Sequence, residues 1–301
     1  MSESTKDLVR IKSNLVPYPT GMSFSDLALS RRLERTEGTA SAQYAEARRR
    51  LFPDSGAEWI EIGGAYAIFD GIDSPITQTF GLGIFEDLSP SQLDVIEQFF
   101  SRHRAPVFHE VSPLAGVAAL DLLCQRGYRP TELSSVLYRS LQPTASEPPG
   151  AITVRIIGAE ETQLWTDVSA RGWGHEHPEL REFLLEVGAI SAARDQSLCF
   201  LAELDGKPGA AGVLCLHQGV ALFAGSATVP ELRCHGLQTA LLHERMRYAF
   251  EQGCDLAMMV AQPGSESQRN AERKGFRIAY TRTKWHLPSS TLNGDCLQLL
   301  R

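Results

Sequence analysis

What this chain of 301 residues lacks narrows its function before any motif is read. Its six cysteines, Cys124, Cys199, Cys215, Cys234, Cys254 and Cys296, are scattered, with no C-x-x-C pair. That pattern excludes a disulfide framework and reads as reduced thiols in a cytoplasm. Excess positive charge is also missing. Against 36 Asp and Glu stand 29 Lys and Arg, a formal net charge of -7, so the cationic surface that nucleic acid or an anionic membrane demands is absent. A small-molecule or protein partner is expected instead. No apolar run approaches the roughly 20 residues of a spanning helix, and the opening "MSESTKDLVR" has no apolar signal core. The expectation is a cytoplasmic chain that contacts neither membrane nor nucleic acid.

What is present is enough apolar material, 43% of residues, for two domains. The stretch "LQPTASEPPGAIT" (141–153) is rich in Pro, Ser and Gly between segments of ordinary periodicity and reads as a linker centred on 144–151. Beyond it, "SLCFLAEL", "GAAGVLCLH" and "VALFAGSATV" read as an antiparallel meander. A helix over about 236–252 follows, with Thr239, Leu242, Met246, Ala249 and Phe250 on its inner stripe and Gly253 as its stop. Then come a buried strand "CDLAMMVAQPG", a short helix "SESQRNAERKG" capped by Ser265, and a last strand "FRIAYTRTKWHL". The fold class is α+β, a mixed sheet with helices packed on it.

The stretch "RCHGLQTALLHERM" (233–246) sets a charge and a glycine immediately before the helix. A helix start has four N–H groups without intrahelical partners and about half a positive charge. Gly236 adopts backbone angles closed to other residues and lets an anion approach, so amides from Gly236 through Leu237, Gln238 and Thr239 can converge on phosphate. Arg233 and His235 add side-chain charge. Taken alone, R-x-x-G is more often a plain helix start behind a surface arginine.

In context, the strand ending "SATVP", this turn, a helix, a strand and "SQRNAERKGF" resemble the GCN5-related N-acetyltransferase family, whose signature here is [RQ]-x-x-G-x-[GA]. Arg233 and Gly236 match, and Gln238 departs from the usual small residue. The resemblance covers about 152–288. It implies an acyl-CoA N-acyltransferase-like fold in which acetyl-CoA is the co-substrate, held by its pyrophosphate at this turn. Ala227, Thr228 and Val229 would then meet the pantetheine arm, and Ser267 and Asn270 would lie near its thiol end. It further implies an N-acetyltransferase working on the amine of a small molecule by direct attack in a ternary complex. The rival reading is an acyl-CoA-binding sensor or regulatory pseudoenzyme without turnover, favoured because Ala271 stands where the family often has a tyrosine acid.

Acyl transfer to an amine requires loss of a proton, since a lysine-like amine has a pKa of about 10.4. No carboxylate lies in "ALFAGSAT", and Ser226 could at most orient a water. The loop "RGWGHEHPEL" offers His175 and Glu176, alongside His177, and Tyr280 is a substitute acid from the last strand. Such loop residues are more often plain solvent-exposed loop, and a strand tyrosine is more often packing. His175 and His177 have no third ligand at motif spacing, so no metal is expected.

Residues 55–141 repeat the order strand, strand, helix, strand, helix, strand, with "AEWIEIGGAYAIFDG" and "ITQTFGLGIF" as the first strands and Gly127-Tyr128 echoing Gly275-Phe276. Where pyrophosphate would bind, however, stands "FEDLSPSQ" with Glu86 and Asp87, whose charge repels phosphate. The expected organisation is a degenerate tandem copy over 1–143, opened by amphipathic helices "SRRLERTEG" and "SAQYAEARRRL" with a solvated arginine face. The linker follows, then the acetyltransferase domain at 152–288 and a tail at 289–301. A homodimer is compatible with this reading.

Overall fold

The computed structural model describes residues 25–143, 150–175 and 178–288. The first half supplies α1 (Leu27–Leu51), β1 (Glu58–Ile62), β2 (Ala65–Phe69), β3 (Gln78–Phe80), α2 (Pro90–Arg102), β4 (Val107–Val111), α3 (Gly116–Gln125) and β5 (Arg129–Ser140). The second half supplies β6 (Ile152–Ile156), α4 (Thr162–Trp173), α5 (Arg181–Ala193), β7 (Ser197–Leu204), β8 (Lys207–His217) and β9 (Val220–Thr228). After these come α6 (Leu237–Glu251), β10 (Leu256–Ala261), α7 (Glu266–Arg273) and β11 (Arg277–Leu287). None of the described helices is long and apolar enough to cross a membrane.

Three hairpins turn on two residues each, Gly63-Gly64, Asp205-Gly206 and Gln218-Gly219, all with positive φ. That geometry matches the twist of the strands it joins, and it locks the register of β1–β2 and of the β7–β8–β9 meander. The segment expected as the strand "ITQTFGLGIF" is shorter, because Gly81 and Gly83 take φ of +75° and +72° and bend the chain off the sheet after Phe80.

The eleven strands of the described residues form one sheet in the order β1-β2-β3-β4-β11-β5-β10-β9-β8-β7-β6. The final strand of each half lies beside the other half: β5 pairs with β10, and β11 with β4. The two exchanged strands pair antiparallel with each other at the centre. The sheet therefore crosses the expected boundary at 144–151 without a break. The order reads as a two-fold repeat about the β5–β11 pair, and it sets β9 and β10 antiparallel to β3 and β4.

The N-terminal helices expected separately are one helix, α1, with Asp26 as N-cap. Its arginine run is not wholly solvated. Arg48 is buried between Asp70 at 2.7 Å and Glu186 at 2.5 Å, which ties α1 to both halves. Glu34, on the same helix, is buried against β11. On α6 the inner stripe also differs from expectation. Thr239 and Phe250 are exposed, while Leu237, Leu241 and Arg245 are buried beside Leu242, Met246 and Ala249.

Candidate functional site

Two neighbouring strands part company to make the site. Parallel β9 and β10 pair over only three rungs, Val220↔Leu256, Ala221↔Ala257 and Leu222↔Met258. Beyond Leu222, β9 turns away while β10 stays paired with β5 as far as Ala261↔Ser135. A bulge drives the divergence: Val213 opposes Ala224 and Ala211 opposes Ala227, so β9 carries an extra residue at Gly225–Ser226, with Gly225 at φ +57°. Bulges bend a strand and leave backbone groups unpaired. Ala224 and Ser226 are half-buried and Gly225 is exposed, so the crevice opens at this point.

The chain then enters the turn singled out from the sequence. Arg233 is extended, Cys234 has φ +64° and Gly236 has φ +87°. α6 starts with no side-chain cap and no acidic residue in its first turn. Its first intrahelical bond runs from Ala240 N–H to Gly236 O at 3.0 Å, so the preceding amides point outward. The contrast with the other half is direct. α2 is closed by a reciprocal capping box, Ser89 with Gln92, and Glu86 accepts from Gln92 Nε2 at 3.3 Å. α1 and α7 are capped by Asp26 and Ser265. An uncapped start beside a splayed strand pair fits a diphosphate; the capped one has its donors already engaged.

The side chains named from the sequence fall into three groups. At the strand end, Val229 N–H donates to Gly209 O at 2.9 Å. Backbone groups alternate between the two edges of a strand, so of Ala227, Thr228 and Val229 it is Thr228 whose backbone faces the crevice. The expectation of three free edge residues is corrected to that one. Arg233 does not extend toward the amides of α6. Its Nε donates to Thr228 O at 3.3 Å and its Nη2 to Gly172 O at 3.2 Å. It thus joins the turn to the end of α4, and His175 lies beside it, with ring nitrogens 3.0 and 3.1 Å from the guanidinium. His235 Nδ1 is 2.7 Å from Arg233 O.

Gly172 lets α4 come this close. A Cβ there would meet Ala227 Cβ at 2.6 Å and Thr228 N at 3.0 Å, both on the strand itself. Gly172→Ala should therefore push α4 off β9 and cost about 1–3 kcal/mol, read as a lower midpoint in denaturant. Unchanged stability would show that α4 has slack there.

On α7, Ser267 and Asn270 are exposed, and Asn270 Oδ1 accepts from Arg273 at 3.0 Å. Ala271 is buried. Tyr280 is not brought to the crevice. It lies on β11, separated from β10 by β5, and its hydroxyl donates to Glu34 Oε1 at 2.8 Å. Glu176 and His177 fall outside the described residues.

Two clusters went unforeseen. Arg245, fully buried on α6, donates to Val213 O at 3.0 Å, Leu241 O at 3.3 Å and Ser226 Oγ at 2.7 Å, and sits 5.1 Å from the Phe223 ring centroid. Burial lowers its pKa to about 9, which leaves it a cation at neutral pH. The only sequence signal was an arginine at a position of α6 that otherwise faces inward. The second cluster centres on Arg282, also fully buried, with Glu37 at 2.6 Å, Glu34 at 3.3 Å and Glu110 at 3.4 Å. Burial pushes the Glu34 carboxyl up to about 7 against the pull of Arg282.

A mixed sheet that opens beside an uncapped, glycine-initiated helix makes a crevice with free amides at its mouth. Residues 147–263 match the family model described as "Acetyltransferase (GNAT) domain". Solved structures share the fold across most of the chain. A GCN5-related N-acetyltransferase from Kribbella flavida has 18% identity and a TM-score of 0.59 over 84% of this chain and 97% of that one. One from Sphaerobacter thermophilus has 17% identity and a TM-score of 0.52, over 87% and 93%. A tandem GNAT protein from the clavulanic acid biosynthesis pathway has 12% identity and a TM-score of 0.55, over 87% and 95%. No curated protein matches the chain in sequence.

Proposed function

We propose that the chain transfers an acetyl group from acetyl-CoA to the amine of a small molecule, by direct attack while both are bound. The observation that carries this is the uncapped start of α6 at the mouth of the β9–β10 crevice, in the half of the chain where the GNAT family matches. The N–H groups of Leu237, Gln238 and Thr239, with Gly236 leaving the approach open, would hold the pyrophosphate, and the backbone of Thr228 would hold the pantetheine amide. Acetyl-CoA supplies the activated acyl carbon. Ser267 and Asn270 stay as candidate contacts on the exposed side of α7. His175 and Glu176 are the candidates for taking the amine proton; Tyr280, bonded to Glu34, is dropped. The first half is read as a copy that has lost its phosphate turn, because α2 caps itself.

Calorimetry with acetyl-CoA, followed by free-thiol release over a panel of small amines, tests the reading. Saturable binding with amine-dependent release of CoA is the expected result. Binding without release above hydrolysis on any amine would turn the assignment to an acyl-CoA sensor, and no binding would overturn both.

A further inference from the structure

A buried cation with no carboxylate beside it among the described residues needs a reason. All four oxygens around Arg245 are neutral: the carbonyls of Leu241, Val213 and, at 3.5 Å, Ala224, and the hydroxyl of Ser226. The fold makes deliberate room for it. At Gly212 a Cβ would lie 2.9 Å from Arg245 Nη1 and 3.0 Å from its Cζ. Taking an unpaired charge out of water costs several kcal/mol, and a core of this kind is more cheaply filled by leucine or methionine. What distinguishes the location is its contact with the β9 bulge, where the crevice opens and where Ser226 is half-buried.

A hydroxyl has one proton and two lone pairs. Arg245 Nη2 donates to Ser226 Oγ at 2.7 Å, so that bond uses a lone pair and leaves the proton to be donated elsewhere. A donor bonded to a cation is polarised and gives the stronger hydrogen bond. We propose that Ser226 is a catalytic hydrogen-bond donor to the carbonyl oxygen of the bound thioester, with Arg245 as the residue that positions and polarises it. This rests on the acetyl-CoA reading above. As the amine nitrogen bonds to the thioester carbon, the carbonyl π pair moves onto oxygen, where the Ser226 O–H and the field of Arg245 stabilise it. The pair then returns, the carbon–sulfur bond breaks with its electrons on sulfur, and the surplus amine proton passes to solvent or to the thiolate. Ser226 keeps its own proton throughout. A donor built in this way supplies stabilisation at the carbonyl in a domain with Ala271 at the position of the family's tyrosine acid.

The test needs no knowledge of the acceptor. Acetyl-CoA labelled with carbon-13 at the carbonyl is bound to the full chain, and its stretching band is read by isotope-edited infrared spectroscopy. The band should lie below that of the free thioester. Ser226→Ala should return it toward the free value with affinity for acetyl-CoA changed by less than about threefold, since the phosphate amides are untouched. Ser226→Thr, which keeps the hydroxyl, should restore the shift. With any amine that the wild type acetylates, Ser226→Ala should lower kcat by about 100-fold, as loss of one oxyanion donor does. An Ala variant that binds normally with the wild-type band overturns the role of Ser226 and leaves the acetyl-CoA reading standing. Wild-type protein that fails to bind acetyl-CoA overturns the reading underneath.

Discussion

Gly236→Asp is expected to weaken acetyl-CoA binding by about 100-fold or more while leaving the fold intact. Gly236 is the N-cap of α6 at φ +87°, a conformation that aspartate tolerates better than most side chains, at a cost of about 1 kcal/mol. Its backbone lies outside the extended region that a side-chain cap such as Ser89 uses, so the carboxylate brings no capping bond to offset that strain, and the thermal midpoint should fall slightly. Binding should change far more. The new carboxylate stands at the approach to the donors proposed for the diphosphate and repels it; losing two charge-assisted hydrogen bonds at about 1.5–3 kcal/mol each weakens affinity by about 100-fold or more. Calorimetry on a variant of native circular dichroism decides it. Unchanged affinity would remove α6 as the phosphate site.

Arg282→Met is expected to be the most destabilising substitution in the centre of the sheet. Arg282 lies on β11, the exchanged strand that joins the halves, and is the cation shared by Glu34, Glu37 and Glu110. Removing one partner from a buried ionic cluster costs about 3–5 kcal/mol, because the remaining charges stay desolvated. The loss should depend on pH in a definite direction. The folded-state pKa of Glu34 is raised from 4.5 to about 7, first by burial and then by the neighbouring carboxylates, against the attraction of Arg282. A raised carboxyl pKa means that the folded state holds the proton more tightly than the unfolded chain. The resulting stability is fully present below pH 4.5 and is lost as pH rises to about 7. Without Arg282, Glu34 should hold its proton to still higher pH, so the variant's defect should be smaller at pH 5 than at pH 8. Denaturant titrations at the two values check this. A defect larger at pH 5 would show that the cluster is not governed by Glu34.

How much of this was legible beforehand depended on the range of the interactions. The turn at Gly236 and the Ser265 cap of α7 both follow from backbone chemistry within a few residues. Each stood in the sequence as a glycine or a short polar side chain at a required place. Arg233 was visible as a charge, but not its direction, because the oxygens that hold it belong to Thr228 and to Gly172 on another helix. Tyr280, a substitute acid by sequence, is instead a packed residue for the same reason: its partner, Glu34, is 246 residues away. Ser226 and Arg245 were invisible as a pair, since a strand bulge and an inward arginine become one unit only when α6 packs across β9.

The sequence by itself determined the class of fold, the glycine turn that opens α6 and the acidic residues ahead of α2, because helix starts, turns and local charge act over a few residues. Only the tertiary structure decided that β5 and β11 change places, that α1 is a single helix bridging both halves, and that a buried arginine reaches the bulge. Those outcomes depend on which surfaces exclude water together, and segments far apart along the chain settle that only by packing against one another.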